Sequence, residues 1–440
     1  MRHLPVVAAA LAALAALAAM PTALAANLSE IYALARAEDA QFAAALHTAM
    51  AGREKSVQGR ALLLPSVVAT GNLRRNHDAS SAYDGYASYT SGAVSLTATQ
   101  PLLRPANRAT YEQGELQAQL ADQQLKLAEQ DLMVRVSRGY FEVLQAQDAL
   151  ATIGAQKDAF VQQLAQAKRS YEVGLSPVTD VNEAQSRHDL TLAQEIAGRN
   201  ELEVKRRTLE KAINRPLPPL ARLDPAVNID ILSAEQLQQL SDAAERSATQ
   251  VAIGTTGQKI ARFEVAKQDA GHSPTIDLVG SIGRNRNANF STFGGQQLRP
   301  SSIGIEVSVP LYQGGAISSR AREAVANLSR ADSELENARR QARLDARQAS
   351  LGVQSGAALS QALRQAVTSG ETQVRSTQRG LEVGVRTRVD VLNAEQQLFT
   401  TRRDLSAARY QALIAGLQLK AVAGVIGEPD LRALDTLLKD

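Results

Sequence analysis

Residue types that commonly carry catalysis or bind metal ions are scarce in this chain of 440 residues. The sequence has no Cys, and His47, His77, His188 and His272 are too widely spaced to form the ligand pairs of a metal site. No phosphate-binding loop of the GxxxxGK type is present. We therefore expect solvated or capping His side chains, no cofactor, no metal ion and no catalytic residues, and we predict that the protein is not an enzyme.

A different role is indicated by a stretch that occurs twice. YEVGLSPVTDVNEAQ, Tyr171 to Gln185, recurs in the second half as LEVGVRTRVDVLNAE, Leu381 to Glu395. In each copy a polar, Ala-rich run ends at a Gly, a short loop follows, and a helical run restarts near Asp180 or Asp390. Gly can take the positive φ that ends a helix, and Asp is favoured at or near an N-cap. The repeat predicts a helix–turn–helix hairpin in each half of a tandem duplication.

Long helical runs lead into and out of these turns. They are predicted over about Asn107 to Tyr171, about Ile317 to Leu381, about Asp180 to Ile213 and about Asp390 to Val425. Apolar residues recur at intervals near 3.5 to 4, as in a coiled coil. Runs of roughly 65 residues extend on the order of 95 Å, too long for a globule. Residues 28–60 are expected to form one helix of moderate length, with Ser29 as a candidate cap.

Between the helices lie segments with a residue period near two, which predict β-strands. They are Leu62 to Leu73, Ala87 to Thr99, Pro274 to Gly283 and Ser301 to Val309, with a long polar loop in the first hairpin. Aliphatic residues alternate with polar ones, a pattern that lets a strand lie between lipid and water. Pro101 and Pro310 follow the hairpins and are expected to end their strands.

Four amphipathic strands cannot cross a bilayer alone, because an open sheet edge in hydrocarbon leaves backbone groups without hydrogen bonds. The smallest closed membrane barrel has about 8 strands, and side chains fill its interior. If these are membrane strands, a passage for solutes needs at least three copies of the chain, or about twelve strands. A homotrimer then follows from closure of the sheet.

The N-terminus has the pattern of a secretory signal. Arg2 and His3 precede an apolar run, Leu4 to Met20, and Ala23-Leu24-Ala25 offers the small residues of a cleavage site. With no Cys, a mature chain starting near Ala26 can have neither a disulfide nor a lipid-modified N-terminal Cys. These features indicate an exported bacterial protein.

Composition and charge add two further expectations. Aromatic residues make up 4% of the chain, which favours long helices packed side by side over a thick globular core. The net charge is +3, with Lys and Arg interspersed among Asp and Glu, so nothing indicates nucleic acid. The predicted order is a signal peptide (residues 1–25), a first repeat (26–213), a linker and equatorial region (214–269), a second repeat (270–425) and a C-terminal equatorial segment (426–440).

Over nearly the whole mature chain the sequence resembles the TolC family of outer-membrane channel-tunnels. The phrases that carry the resemblance are GHSPTIDL, SVPLYQGG, EVGLSPVTDV, EVGVRTRVDVLNAE and the terminal LKAVAG. The resemblance implies an α+β membrane protein: a trimeric twelve-stranded β-barrel in outer-membrane lipid, continuous with a long periplasmic α-helical barrel. It further implies docking to a periplasmic adaptor and an inner-membrane ABC, RND or MFS pump, for drug efflux, type I secretion, or both.

The resemblance also implies roles for residues at the repeated turns, which would form the periplasmic tip. Asp390 would contribute a ring of carboxylates around the entrance, while Asn393 stands where a second acidic ring is expected. Thr179, Asp180 and Arg386 match positions whose links between neighbouring hairpins hold the tip closed. A Tyr would be expected at Leu381. A purely structural alternative is that the two Asp are only N-caps, and both roles can coexist.

Adaptor docking is implied for the loops themselves. Gly174, Leu175, Gly384 and Val385 would form the docking tips, although the two Gly could simply end helices. Leu175 and Val385 are more informative, because they are apolar residues on turns expected to be wet. A rival function is a periplasmic coiled-coil scaffold or adaptor whose strands form a soluble domain. Within the channel interpretation, the sequence does not separate drugs from a secreted protein or toxin as the substrate.

Overall fold

The computed structural model describes residues 25–80, 85–224, 233–287 and 296–439. Its helices are α1 (Leu28–Glu38), α2 (Ala40–Ala61), α3 (Pro105–Glu172), α4 (Val178–Ile213), α5 (Ala234–Ser247), α6 (Thr249–Asp269), α7 (Ala316–Glu382), α8 (Arg388–Val422) and α9 (Glu428–Asp435). Its strands are β1 (Ser66–Ser80), β2 (Gly85–Leu103), β3 (Arg222–Leu223), β4 (Thr275–Asn287), β5 (Gln296–Leu298), β6 (Ser301–Ser308) and β7 (Leu438–Lys439). The predicted signal peptide lies outside the described residues, except for Ala25.

The contacts of the chain divide it into two compact units. Unit 1 comprises Met1–Ala44, Leu127–Thr249 and Gln341–Asp440, and unit 2 comprises Ala45–Lys126 and Gln250–Arg340. The predicted long helices are confirmed: α3 has 68 residues and α7 has 67. Each therefore extends on the order of 100 Å. Among the described residues, no helix combines the length and the apolar character needed to cross a membrane.

The prediction of one helix over residues 28–60 is wrong, because the chain breaks at Asp39. Its backbone is extended, and its carboxylate accepts the Phe42 N–H at 2.8 Å, which caps the start of α2. Arg135 fixes this carboxylate from α3 with hydrogen bonds of 2.7 and 3.0 Å, and the pair lowers the pKa of Asp39. The cap of α1 is Asn27 in a reciprocal capping box, and Ser29 is not the cap.

The predicted hairpins form one antiparallel sheet in unit 2. Its order is β1-β2-β4, and both β5 and β6 pair with β4. Residues 74–80, predicted to be loop, continue β1, while the hairpin ends at residues 81–84 and 288–295 lie outside the described residues. Pro101 does not end β2. The strand continues to Leu103 with a register shift between these two residues, because a bulge tolerates the missing N–H of Pro.

The two faces of this sheet differ in polarity. On one face hydroxyl groups pair across strands, Thr70 with Ser95 at 2.7 Å and Ser281 with Ser302 at 2.9 Å. Directly opposite residues of an antiparallel pair lie on the same face. The other face therefore carries the apolar members of the pairs Val67–Ala98, Leu73–Gly92, Leu96–Ile282, Leu278–Ile305 and Ile276–Val307. This is the alternation expected of strands with one side in lipid.

In unit 1 the connector after α4 is tied to the C-terminal segment. β3 pairs with β7, and Asp224 contacts Lys439. The hydroxyl of the buried Tyr140 donates to the carbonyl oxygens of Ala26 at 3.1 Å and Ala221 at 2.8 Å. These bonds join the segment before α1 and the connector after α4 to α3 within this unit.

Candidate functional site

The repeated turns have nearly the same backbone geometry. Gly174 has φ of 73° and Gly384 has φ of 80°, so both take the left-handed conformation that favours glycine. After the first Gly, the N–H of Leu175 donates to the carbonyl of Ser170 at 2.8 Å, and after the second, the N–H of Val385 donates to that of Gly380 at 2.9 Å. Both are C-terminal closures of a long helix, followed at once by the returning helix.

The two aspartates of the turns do different work. Each is the third residue of its helix, so neither is an N-cap. In the second turn Thr387 is the cap: its hydroxyl accepts the Asp390 N–H at 3.2 Å, and the Asp390 carboxylate accepts the Thr387 N–H at 2.9 Å. The Thr387 N–H and the Thr387 hydroxyl, at 2.9 Å, both donate to the Asp390 carboxylate, which lowers its pKa. In the first turn the cap position is Pro177, which makes no side-chain cap bond. The Asp180 side chain therefore takes no part in a capping box.

The carboxylate of Asp180 instead faces a buried arginine of the other hairpin. Arg388 Nε lies 3.9 Å from Asp180 Oδ2, and the Arg388 side chain is 7% exposed. Its Nη1 lies 3.5 Å from Gln163 Oε1, at the limit of a hydrogen bond. Arg388 of α8 thus makes an ion pair with α4 and a weak hydrogen bond with α3, and its Nε has no hydrogen-bond partner among the described residues. Arg386, which the sequence suggested for this role, is exposed and contributes its N–H to the Gly380 carbonyl at 3.1 Å.

Gln163 also contacts a second buried group, Glu395. Its Nε2 donates to Glu395 Oε1 at 3.2 Å, and Gln378 Nε2 of α7 donates to the same oxygen at 3.1 Å. Glu395 is 6% exposed, and its Oε2 has no partner among the described residues. Burial raises the pKa of this carboxyl, against the two amide donors, which lower it. We call Asp180, Arg388, Gln163, Glu395 and Gln378 the hairpin network.

Apolar packing surrounds the hairpin network. Phe160 and Ala167 of α3, Ala184 of α4 and Leu392 of α8 are fully buried and form one cluster. Residues from three helices exclude water there, so each polar bond is stronger than at the surface, and each lost partner is costlier. The network and the cluster together fix the first hairpin, α3 and α4, against the second.

The remaining predicted residues lie around the second turn or on the surface. Arg386, Asp390 and Asn393 line one small cavity of about 440 Å³. Asn393 Oδ1 accepts a hydrogen bond from Arg187 of α4 at 3.0 Å, which is a further link between the hairpins. Thr179 is exposed. Among the described residues, no group of His, Asp and Glu is arranged to hold a metal ion.

The ends of the two turns carry exposed apolar side chains. Leu175 is 83% exposed and Val385 is 75% exposed. Val173 and Val383, each directly before its Gly, are 68% and 69% exposed. Four aliphatic side chains at adjacent turns leave an apolar surface that water solvates poorly, which is typical of a protein-docking surface.

Sequence reasoning missed Arg388 and Glu395, although a signal was present. They are two helical turns apart on α8, and Val391, Leu392, Leu398 and Phe399 around them are all buried. A charged residue at each of two positions in an apolar stripe indicates a paired or neutralised group.

Two comparisons with known sequences are informative. The model of the family described as outer membrane efflux protein matches residues 31–215 and 240–425. The chain is 34% identical to the proteases secretion protein PrtF of Dickeya chrysanthemi, covering 94% of this chain and 91% of that one. It is 31% identical to the outer membrane protein TolC of Vibrio cholerae, covering 94% of each, and 32% identical to the alkaline protease secretion protein AprF of Pseudomonas aeruginosa, covering 93% and 86%.

Solved structures share the fold at lower identity. The outer membrane protein VceC of Vibrio cholerae superposes with a TM-score of 0.76 at 16% identity, covering 90% of this chain and 96% of that one. The CmeC outer membrane channel of Campylobacter jejuni gives a TM-score of 0.79 at 13% identity, covering 93% and 89%. The arrangement of long helices and antiparallel strands is therefore common to both structures and this chain.

Proposed function

The chain belongs to the outer membrane efflux protein family, and on that premise we propose that it is the exit duct of a type I protein-secretion machine with a periplasmic end closed by the hairpin network. As a member of this family it is a non-enzymatic channel that spans the outer membrane and extends into the periplasm. The soluble scaffold considered above is set aside by this membership.

The choice of protein over drugs as the cargo is supported by the relatives. Two of them, at 34% and 32% identity over nearly their full length, carry names that assign them to protease secretion. Similarity of this extent to secretion proteins is the observation that carries the proposal. Small-molecule efflux is the second candidate, since the family model is described by efflux.

The assembly is a homotrimer that works with secretion or efflux machinery, as the family implies. We infer a closed barrel of about twelve strands, because the sheet of one chain has open edges at β1 and at β6 that lipid cannot satisfy. The machine would include a periplasmic adaptor and an inner-membrane pump. An ABC-type pump fits type I secretion, and an RND or MFS pump would fit efflux.

Adaptor docking is placed at the exposed apolar turns. Gly174 and Gly384 give each turn its tight shape, and Leu175 and Val385 provide aliphatic contacts for the adaptor. Burying two such side chains contributes on the order of 3 to 6 kcal/mol per chain before the cost of association. The trimer offers three copies of each turn, so the adaptors can bind with high combined avidity.

Closure of the tip rests on links within and between chains. Within one chain the hairpin network holds the two hairpins together through Arg388 and Glu395. Arg386, Thr179 and Asp180 remain candidates for links to a neighbouring chain. Asp390 would form one ring of carboxylates, and Asn393 contributes no charge, so cation selectivity rests on a single ring.

The cargo is tested with a strain that lacks the gene, by comparing its secreted proteins and its drug susceptibility with the parent. Loss of a small set of proteins from the medium, restored by the gene in trans, is the expected result. Minimal inhibitory concentrations should stay at the values of the parent strain. If the secreted proteins were unchanged and drug susceptibility rose strongly, the proposal would be wrong and the chain would be a small-molecule efflux channel.

A further inference from the structure

The apolar face of the unit 2 sheet ends in a group of arginines. Beyond the apolar positions, toward the hairpin ends, the cross-strand register partners are Arg75–Thr90, Gly92–Arg286 and Val94–Arg284. Ile282, Arg284 and Arg286 are exposed, while the intervening Gly283 and Asn285 are half-buried. The three arginines therefore lie on the same face as Ile282, directly beyond the apolar residues.

These arginines have no opposite charge beside them among the described side chains. Arg284 Nη2 donates to the neutral amide of Gln297 at 2.8 Å. The described acidic side chains of the sheet, Asp277 and Glu306, are register partners at the other end of β4 and β6, where Asp277 accepts a hydrogen bond from Arg104 at 2.8 Å. Arg286 is the register partner of Gly92 on β2, and the side chain of Leu73, the partner of Gly92 on β1, covers this glycine, with Arg75 two residues further along β1. Three positive charges thus lie near one another, next to the apolar side chain of Leu73.

The depth of the arginines follows from the apolar positions below them. Ile276 to Arg286 spans about 33 Å along β4 at about 3.3 Å per residue. At a strand tilt of about 40° this is about 25 Å along the membrane normal, the height of the apolar band of outer-membrane barrels. β2 and β6 lead into the helical runs that extend into the periplasm, so the hairpin ends face outward. The arginines therefore lie at the headgroup level of the outer leaflet.

We infer that Arg75, Arg284 and Arg286 form a binding site for the phosphate groups of a phosphorylated glycolipid of the outer leaflet. Guanidinium groups bind phosphate oxygens in pairs of parallel hydrogen bonds, and three of them match a headgroup with more than one phosphate. The acyl chains would lie on the adjoining face along Leu73, Ile282 and neighbouring aliphatic residues. A lipid of this kind would contact both the arginines and the apolar face, whereas a soluble anion would contact only the arginines.

The test is native mass spectrometry of the purified trimer titrated with lipid A, a glycolipid with two phosphates. The double variant Arg75→Gln/Arg286→Gln should bind lipid A at least about tenfold more weakly than wild type. The matched control is Arg74→Gln, which removes the same charge from the neighbouring position of β1 on the opposite face, and its binding should stay within about twofold. Wild type should bind lipid A without its phosphates only weakly. Its affinity should match that of the double variant for intact lipid A.

Equal weakening by Arg74→Gln, or equal binding of phosphate-free lipid A to wild type, would overturn the assignment. Unchanged binding by the double variant would overturn it as well. The same spectra report the fraction of intact trimer. If the double variant does not assemble, Arg75→Gln and Arg286→Gln are measured singly, each with an expected weakening of about threefold. No effect from either would then reject the site.

Discussion

Replacing Glu395 should loosen the contact between the two helical hairpins. Its Oε1 accepts hydrogen bonds from Gln163 at 3.2 Å and Gln378 at 3.1 Å, so one carboxyl joins α3 to α7 through α8. An intramolecular hydrogen bond contributes a net of about 1 kcal/mol, so Glu395→Ala should cost about 2 kcal/mol per chain. A loss of this size changes a two-state population ratio by a factor of about 30. We expect the variant channel to open far more often.

The ionisation of Glu395 gives this contact a pH dependence with a defined sign. Burial raises the pKa of the carboxyl in the closed arrangement. Because the pKa is raised, Glu395 stabilises the closed arrangement fully below the ordinary carboxyl pKa. This stabilisation is lost as the pH rises through the raised pKa. The charged groups nearby are already engaged: Arg388 faces Asp180, and Arg402 pairs with Glu371 of α7 at 2.7 Å. Raising the pH should therefore favour opening.

Single-channel recordings in planar bilayers at about pH 5 and about pH 8 measure this effect. Wild type should open more at the higher pH. Glu395→Gln keeps the oxygen that accepts both amide bonds and cannot ionise, so the difference between the two pH values should disappear. Glu382→Gln, at an exposed position of the same tip, is the control and should behave as wild type. A pH dependence that survives in Glu395→Gln would refute the reasoning.

Three further predictions concern the turns and the equatorial segment. Asn393→Asp adds a second carboxylate beside Asp390, so the ratio of cation to anion permeability from reversal potentials should rise, and no change would argue that these side chains do not line the entrance. Gly424→Ala should lower the thermal midpoint strongly, because a Cβ there lies 2.6 Å from the Ser247 carbonyl oxygen and φ is 75°. Gly384→Ala, with φ of 80° and nothing within 4 Å of the added Cβ, should cost only about 1 to 2 kcal/mol in denaturant unfolding. Equal losses of stability in Gly384→Ala and Gly424→Ala would contradict the close packing at Gly424.

Much of the fold was accessible from sequence because its signals are local. Period-two alternation marked the strands, and a glycine followed by a helix restart marked both turns. The break at Asp39 was not accessible, since the Ala-rich pattern continues across it and only the bond from Arg135, distant in sequence, stabilises the break. The long loop predicted after Leu73 was wrong because polar residues continue a strand as readily as they form a turn when the partner strand is present.

The candidate site was accessible only in part. The duplication located the turns, and Leu175 and Val385 are exposed there as the docking prediction requires, although docking itself stays a prediction. The duplication also suggested that Asp180 and Asp390 were equivalent. The difference between Pro177 and Thr387 at the cap positions removes that equivalence. Arg388 and Glu395 gain their roles from residues of other helices, which no local pattern contains.

The central claim, a channel closed at its tip by the hairpin network, is tested most directly by the conductance of the purified trimer carrying Arg388→Leu. Wild type should give small, cation-selective steps, and Arg388→Leu should give larger and more frequent ones, because Asp180 and Gln163 lose the group that joins them. Arg386→Leu reports separately on links between chains. Steps from Arg388→Leu that match wild type would contradict the role of the network, and an inserted trimer that conducts in neither form would contradict the channel itself.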